Sequence, residues 1–103
     1  KAADAATAVF VASDAMALEV MAVARELGKN IPNDLSIVGF DDNPSGLYGP
    51  VGLTTVRQPL IRMAEESVKE LNRLIALNKN AAKKILLPAE LVIRESCKPF
   101  SGG

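Results

Sequence analysis

Residues 7–42, TAVFVASDAMALEVMAVARELGKNIPNDLSIVGFDD, decide the fold class. At residues 7–12, Thr-Ala-Val-Phe-Val-Ala is a short apolar run with β-branched and aromatic members, which predicts a strand buried on both faces. Ser13-Asp14 follows at once, and both residue types cap helix N-termini well. The predicted helix runs to about residue 29, with Gly28 as its stop signal. Ala17, Val20, Met21, Ala24 and Leu27 share one face at the helical period. Leu18 and Val23 fall off that face, so a second covered surface is expected. Asn30-Ile31-Pro32-Asn33-Asp34 is turn chemistry. Leu35-Ser36-Ile37-Val38-Gly39-Phe40 then reads as a second strand, ending in Asp41-Asp42. Strand, helix and strand within ~34 residues have the length of a parallel βαβ unit. A right-handed crossover and a sheet covered by helices follow from that pattern.

Outward from this unit, residues 43–52 hold three Gly and two Pro and read as a loop. Leu53-Thr54-Thr55-Val56 is a short extended segment. Pro59 suits the first turn of a long helix over 59–77, where its missing N–H is not needed. Leu60, Met63, Ala64, Val68, Leu71, Leu74 and Ile75 form the apolar stripe of that helix. Arg62, Glu65, Glu66, Lys69, Glu70 and Arg73 form the opposite face. A polar connector over 78–84 leads to Ile85-Leu86-Leu87 and Pro88. Residues 89–95 read as a last strand on their β-branched centre, and 101–103 as a flexible tail.

Composition narrows the function. The 103 residues suit one small domain. Twelve basic residues balance twelve acidic ones, which argues against a nucleic-acid or anionic-membrane surface on this chain. There is no His, which removes the commonest general base and zinc ligand. One Cys cannot form an internal disulfide, a usage that favours a reducing compartment. No apolar run reaches ~18 residues. The first residue is Lys1, not Met, which reads as a piece of something larger.

Several positions have both a functional and a structural reading. Asp41 and Asp42 follow a strand of an α/β pattern, where ligands of open parallel sheets bind. Equally, they are loop acids that cap a turn with Asn43 and Pro44. Ser13-Asp14 sits at the equivalent end of the first strand, fully explained as capping, yet a helix N-terminus there also attracts polar oxygens. Gln58, in Thr54-Thr55-Val56-Arg57-Gln58-Pro59, either reaches a ligand from a hinge or serves a strand-to-helix joint. No Gly-x-Ser-x-Gly elbow or glycine-rich phosphate loop occurs, and Cys97 reads as a bystander thiol. No catalytic residue, metal ligand or cofactor is expected.

Four motifs stand in order: Ala12-Ser13-Asp14-Ala15-Met16-Ala17, then Ile31-Pro32-Asn33-Asp34-Leu35-Ser36-Ile37-Val38-Gly39-Phe40-Asp41-Asp42, then Leu53-Thr54-Thr55-Val56-Arg57-Gln58-Pro59, then Leu87-Pro88-Ala89-Glu90-Leu91-Val92-Ile93-Arg94-Glu95-Ser96. Together they closely resemble the C-terminal part of the lactose-repressor/galactose-repressor family of transcription regulators, over residues 6–99. The resemblance implies an α/β parallel-sheet fold of the periplasmic-binding-protein-like type I class, present as a C-terminal fragment. By the same resemblance, residues 1–52 belong to a C-terminal lobe, 53–58 to an inter-lobe crossover and 59–84 to an N-terminal lobe. Residues 85–100 return to the C-terminal lobe.

The resemblance also assigns roles. Asp41 corresponds to an Asp that hydrogen-bonds a small-molecule effector, and Gln58 and Leu60 face the effector in some members. Ser13 stands where the family usually has Asn, a longer group with more donors. Asp14 matches the family's acid, expected mainly to cap the helix. Leu18, with Tyr48 and Gly49 in the loop after Asp42, corresponds to a dimer interface. The implied function is effector binding and dimerisation in a cytoplasmic, non-enzymatic regulator. Its partners are a sugar or related effector, a second copy, and operator DNA held by an absent N-terminal helix-turn-helix, with no membrane. A periplasmic sugar-binding protein of a transport system is the alternative.

Overall fold

The computed structural model describes residues 6–47, 49–78 and 81–100. In chain order the elements are β1 (Ala8–Phe10), α1 (Asp14–Glu26), β2 (Ser36–Val38), a 3-10 turn (Pro44–Leu47), β3 (Thr55–Arg57), α2 (Leu60–Leu77) and β4 (Glu90–Val92). The chain divides into two compact units, one of Lys1–Arg57 with Leu91–Gly103, the other of Gln58–Glu90.

In the first unit, β1 and β2 pair in parallel, with Ala8 opposite Ser36, Val9 opposite Ile37 and Phe10 opposite Val38. This is the expected βαβ unit, with α1 as its connection. Thr54 adds a parallel bridge to Val38, and β3 pairs with β4 in a second two-stranded sheet. Ser13 is the N-cap of α1 and Gly28 has φ +82°, as a helix stop favours. Val11, Ala17, Met21, Ile37 and Leu53 form the buried core, with Val9, Leu18, Val20, Ile31, Leu35 and Val51 packed on it. Fully burying a side chain such as Met21, Ile37 or Leu53 contributes roughly 1.5–3 kcal/mol.

Two expectations fail in this unit. β1 is not buried on both faces: Phe10 is 66% exposed, because β1 has a described partner strand on one side only and α1 covers one layer. The aromatic ring instead meets Phe40 edge to face at 6.5 Å. Leu27 is 73% exposed, because it serves as the C-cap, where the chain leaves the helical face.

The second unit is dominated by α2. Its N-cap position is Pro59, with no side-chain cap bond, and Asn78 closes it in the left-handed conformation at φ 50°. None of the described α2 residues is buried. The apolar stripe lies open, with Leu60, Val68, Leu71 and Ile75 all more than half exposed. Half-covered are Glu66, Glu70 and Arg73 of the charged side and Leu74 of the stripe. Arg73 Nε donates to both oxygens of Glu70, at 3.1 and 3.0 Å, and its Nη2 donates to the Ala81 carbonyl at 2.6 Å. The Lys83 ammonium lies 3.6 Å from the same carboxylate. These contacts fold the segment after α2 back along the helix.

Candidate functional site

Because β1 and β2 are parallel and in register, both open at one carboxyl edge. Ser13 and Asp41 each lie three residues beyond the last register pair, Phe10 and Val38. Backbone bonds tie the two chain exits together: Val11 N–H donates to Val38 O at 2.8 Å, and Asp14 N–H to Phe40 O at 3.2 Å.

Ser13 has extended backbone, and its Oγ accepts from Met16 N–H at 3.2 Å. Capping of this kind uses one lone pair of the hydroxyl and leaves its proton to donate. Asp14 takes a different part from the expected one. It is 1% exposed, and its carboxylate points away from the cap: Oδ1 accepts the Thr55 hydroxyl at 2.7 Å and Oδ2 accepts Asn43 N–H at 2.5 Å. Ser13 caps α1, so Asp14 is freed to stitch the loop after β2 to the start of β3. Its charge also sits in the first turn, where the helix dipole favours an anion. Gly39 makes room for it, since a Cβ there would overlap Asp14 Oδ1 and come within 2.9 Å of Leu53 Cδ2.

Asp41 is exposed, with φ 113°, and Asp42 follows at φ 59°. Two successive non-glycine residues with positive φ are uncommon, and each costs about 1–3 kcal/mol unless its surroundings hold it. The holding groups are visible. Asp41 N–H donates to Val56 O at 2.9 Å, and Asp42 N–H to Thr55 Oγ1 at 3.3 Å. The Asp42 carboxylate accepts Arg57 Nε at 2.7 Å and Arg94 Nη2 at 2.8 Å. Arg94 Nη1 also donates to the Leu53 carbonyl at 2.9 Å. The hydrogen bond from Arg94, then that from Arg57, holds the Asp42 carboxyl below its ordinary pKa. The adjacent acids thus divide their labour: Asp42 is consumed in ion pairs, while Asp41 stands at the surface. Asn43 takes the turn-capping part, accepting Ser45 N–H at 3.0 Å.

Gln58 and Leu60 belong to the other unit. Gln58 is half-buried and follows β3 directly; its carbonyl accepts Leu60 N–H at 2.9 Å. Leu60 is 61% exposed in the first turn of α2. Leu18 is half-buried, and a Cβ on Gly49 would come within 2.8 Å of Leu18 Cδ2, so these two residues are neighbours. Tyr48 lies outside the described residues. Sequence reasoning missed Thr55, Arg94 and Ser96 as parts of the scaffold under this edge. Arg94 carries a partial signal as the one basic residue of 89–95; Thr55 and Ser96 carry none.

Among the described residues, no group of three or more His, Cys, Asp or Glu is arranged to hold a metal ion. No described helix is long and apolar enough to cross a membrane. What the edge offers is an exposed acid, Asp41, after one strand and a hydroxyl, Ser13, after the other.

The sequence profile of the periplasmic binding protein-like domain matches residues 1–97. The chain is 44% identical over 91 residues to the HTH-type transcriptional regulator MalR of Clostridium butyricum, covering 88% of this chain and 27% of that protein. A solved complex of the transcriptional regulator CelR with cellobiose superposes with a TM-score of 0.83 at 34% identity, over 92% of this chain and 29% of that one. The lac repressor dimer bound to operator and the anti-inducer ONPF gives 0.77 at 33% identity, over 88% of this chain and 32% of that one. The chain therefore spans under a third of the length of each of these relatives. On this profile match, supported by the regulators that share its fold, the chain belongs to the periplasmic binding protein-like domain family, in its LacI-type regulator branch.

Proposed function

We propose that this chain is the C-terminal portion of the effector-binding domain of a cytoplasmic, DNA-binding transcription regulator, and that its effector is a sugar or a close relative. The observation that carries the reading is the exposed Asp41 carboxylate. Asp41 and Ser13 each follow a strand at the carboxyl edge of two parallel strands, where open α/β sheets bind ligands. A carboxylate accepts from two sugar hydroxyls at once, and hydrogen bonds to a charged group contribute about 1.5–3 kcal/mol each. Ser13 supplies a donor for a sugar oxygen, and the family resemblance assigns Gln58 and Leu60 to the same effector. Effector binding shifts the angle between two lobes and with it the spacing of the DNA-reading headpieces. Residues 1–52 and 85–100 are assigned to the C-terminal lobe, 59–84 to the N-terminal lobe and 53–58 to the crossover. The transport alternative loses support, because the relatives named above are transcriptional regulators.

The test is Asp41→Asn in the full-length protein, titrated calorimetrically with a panel of mono- and disaccharides. We expect affinity for the sugar that the wild type binds to fall on the order of tenfold or more, the loss of one charged hydrogen bond. Operator binding without sugar should stay within about twofold, since the substitution touches no DNA contact. Unchanged sugar affinity in the variant would remove Asp41 from the site.

A further inference from the structure

We propose that Asp42 is a positioning residue of the effector site: its carboxylate, gripped at once by Arg57 and Arg94, holds the left-handed backbone at Asp41 and Asp42 and so fixes where the Asp41 carboxylate is presented. The inference rests on the effector reading above and deepens it. The geometry comes first. Asp41 and Asp42 have φ 113° and 59°, a pair of conformations that relaxes unless something outside the segment restrains it. Bonds from the two backbone N–H groups restrain the segment through Val56 O and Thr55 Oγ1. The Asp42 side chain adds a further restraint, with each carboxylate oxygen bound to a different guanidinium at 2.7 and 2.8 Å. Arg94 is itself fixed, donating Nη1 to Leu53 O at 2.9 Å, while its N–H donates to Thr54 Oγ1 at 2.9 Å. Charged, doubly anchored bonds of this kind are the strong ones.

Connectivity gives the clamp a second consequence. Arg57 is the last residue of the first unit before the chain passes to the other, and Arg94 lies three residues after the chain returns at Leu91. Asp42 therefore grips both passing strands at their ends in this unit, one residue from the effector-facing acid. A displacement of either strand pulls on Asp42, and hence on Asp41. The effector affinity and the placement of the crossover strands are linked through one carboxylate, and linkage of this kind is reciprocal.

The experiment uses the full-length protein and two variants, Asp42→Asn and Arg57→Gln. Arg57 has a half-exposed side chain, so its variant keeps the question open should Asp42→Asn fold poorly. A third protein, Met21→Ala, is a destabilised control with an altered core away from the edge. Amide hydrogen exchange should speed up at residues 41–43 in both clamp variants and not in the control. Affinity for whichever mono- or disaccharide the wild type binds should fall roughly tenfold in the clamp variants, at a loss of melting temperature no larger than the control's. The control should keep wild-type affinity. Unchanged exchange at 41–43, or an affinity loss shared by the control, overturns the positioning role. A wild type that binds no sugar of the panel overturns the effector reading instead, and exchange at 41–43 still decides whether the clamp holds Asp41.

Discussion

Gly39 is tightly constrained beside the candidate site, though it carries no functional group. Space, rather than backbone angle, demands the glycine: the buried Asp14 carboxylate and Leu53 Cδ2 occupy the volume a methyl group would take. Asp14 cannot retreat, because both its oxygens are bound, one to the Thr55 hydroxyl and one to Asn43 N–H. Gly39→Ala should therefore destabilise the full-length protein by about 1–3 kcal/mol, the usual cost of overpacking a filled interior. The loss should appear as a lower urea midpoint with little change in slope. A midpoint equal to the wild type's would mean that Asp14 has room to move. At this scale the sequence is legible only in part. That an acid follows each strand is readable; that Ser13 caps and Asp14 does not, or that Asp42 is paired while Asp41 is exposed, depends on partners thirteen to fifty-two residues away.

At the scale of elements, the period of apolar residues is enough to locate both helices and the order of strands. Helix α1 follows its cap and its glycine stop, and the parallel pairing of β1 and β2 follows from the length of their connection. Strand extents are less legible. Apolar runs of six residues yield ladders of three, because a run records what is buried and not what is hydrogen-bonded. Least legible is the segment after β4. Ser96 is fully buried; its Oγ accepts Thr54 N–H at 2.8 Å and donates to the Ile37 carbonyl at 2.6 Å. Its backbone N–H donates to Gly52 O and its carbonyl accepts Ile37 N–H, both at 2.9 Å. One serine thus joins β2 to the entrance of β3. Ser96→Ala strands a buried Thr54 N–H, which costs about 1–3 kcal/mol. Chemical denaturation of the full-length protein should register that loss, whereas Ser96→Thr, which keeps the hydroxyl, should recover part of it. A Ser96→Ala protein as stable as the wild type would show that this junction is held by its backbone bonds alone.

For the molecule as a whole, zero net charge takes on a specific sense. Zero net charge fits the proposed role, in which the domain binds an uncharged small molecule and a second copy while DNA is read by another part of the protein. We propose that Leu18 and Gly49 belong to an interface with a second copy: the two are neighbours, and Leu18 is half-buried and packed against the core. A Cβ on Gly49 would overlap Leu18 Cδ2, so the glycine lets the loop approach α1 closely. A half-buried apolar residue beside a close-packed loop is the form an interface anchor takes. Leu18→Lys would put an ammonium into that contact, and desolvating an unpaired charge costs several kcal/mol. The dissociation constant of a dimer should then rise at least about a hundredfold, each 1.4 kcal/mol being tenfold. Analytical ultracentrifugation of the full-length variant at micromolar concentration should therefore show monomer where the wild type shows dimer. Sugar affinity should be retained, because Leu18 lies more than a helical turn from Ser13 along α1. Persistence of the dimer in Leu18→Lys would move the interface to another face, and the open apolar stripe of α2 would be the next surface to substitute.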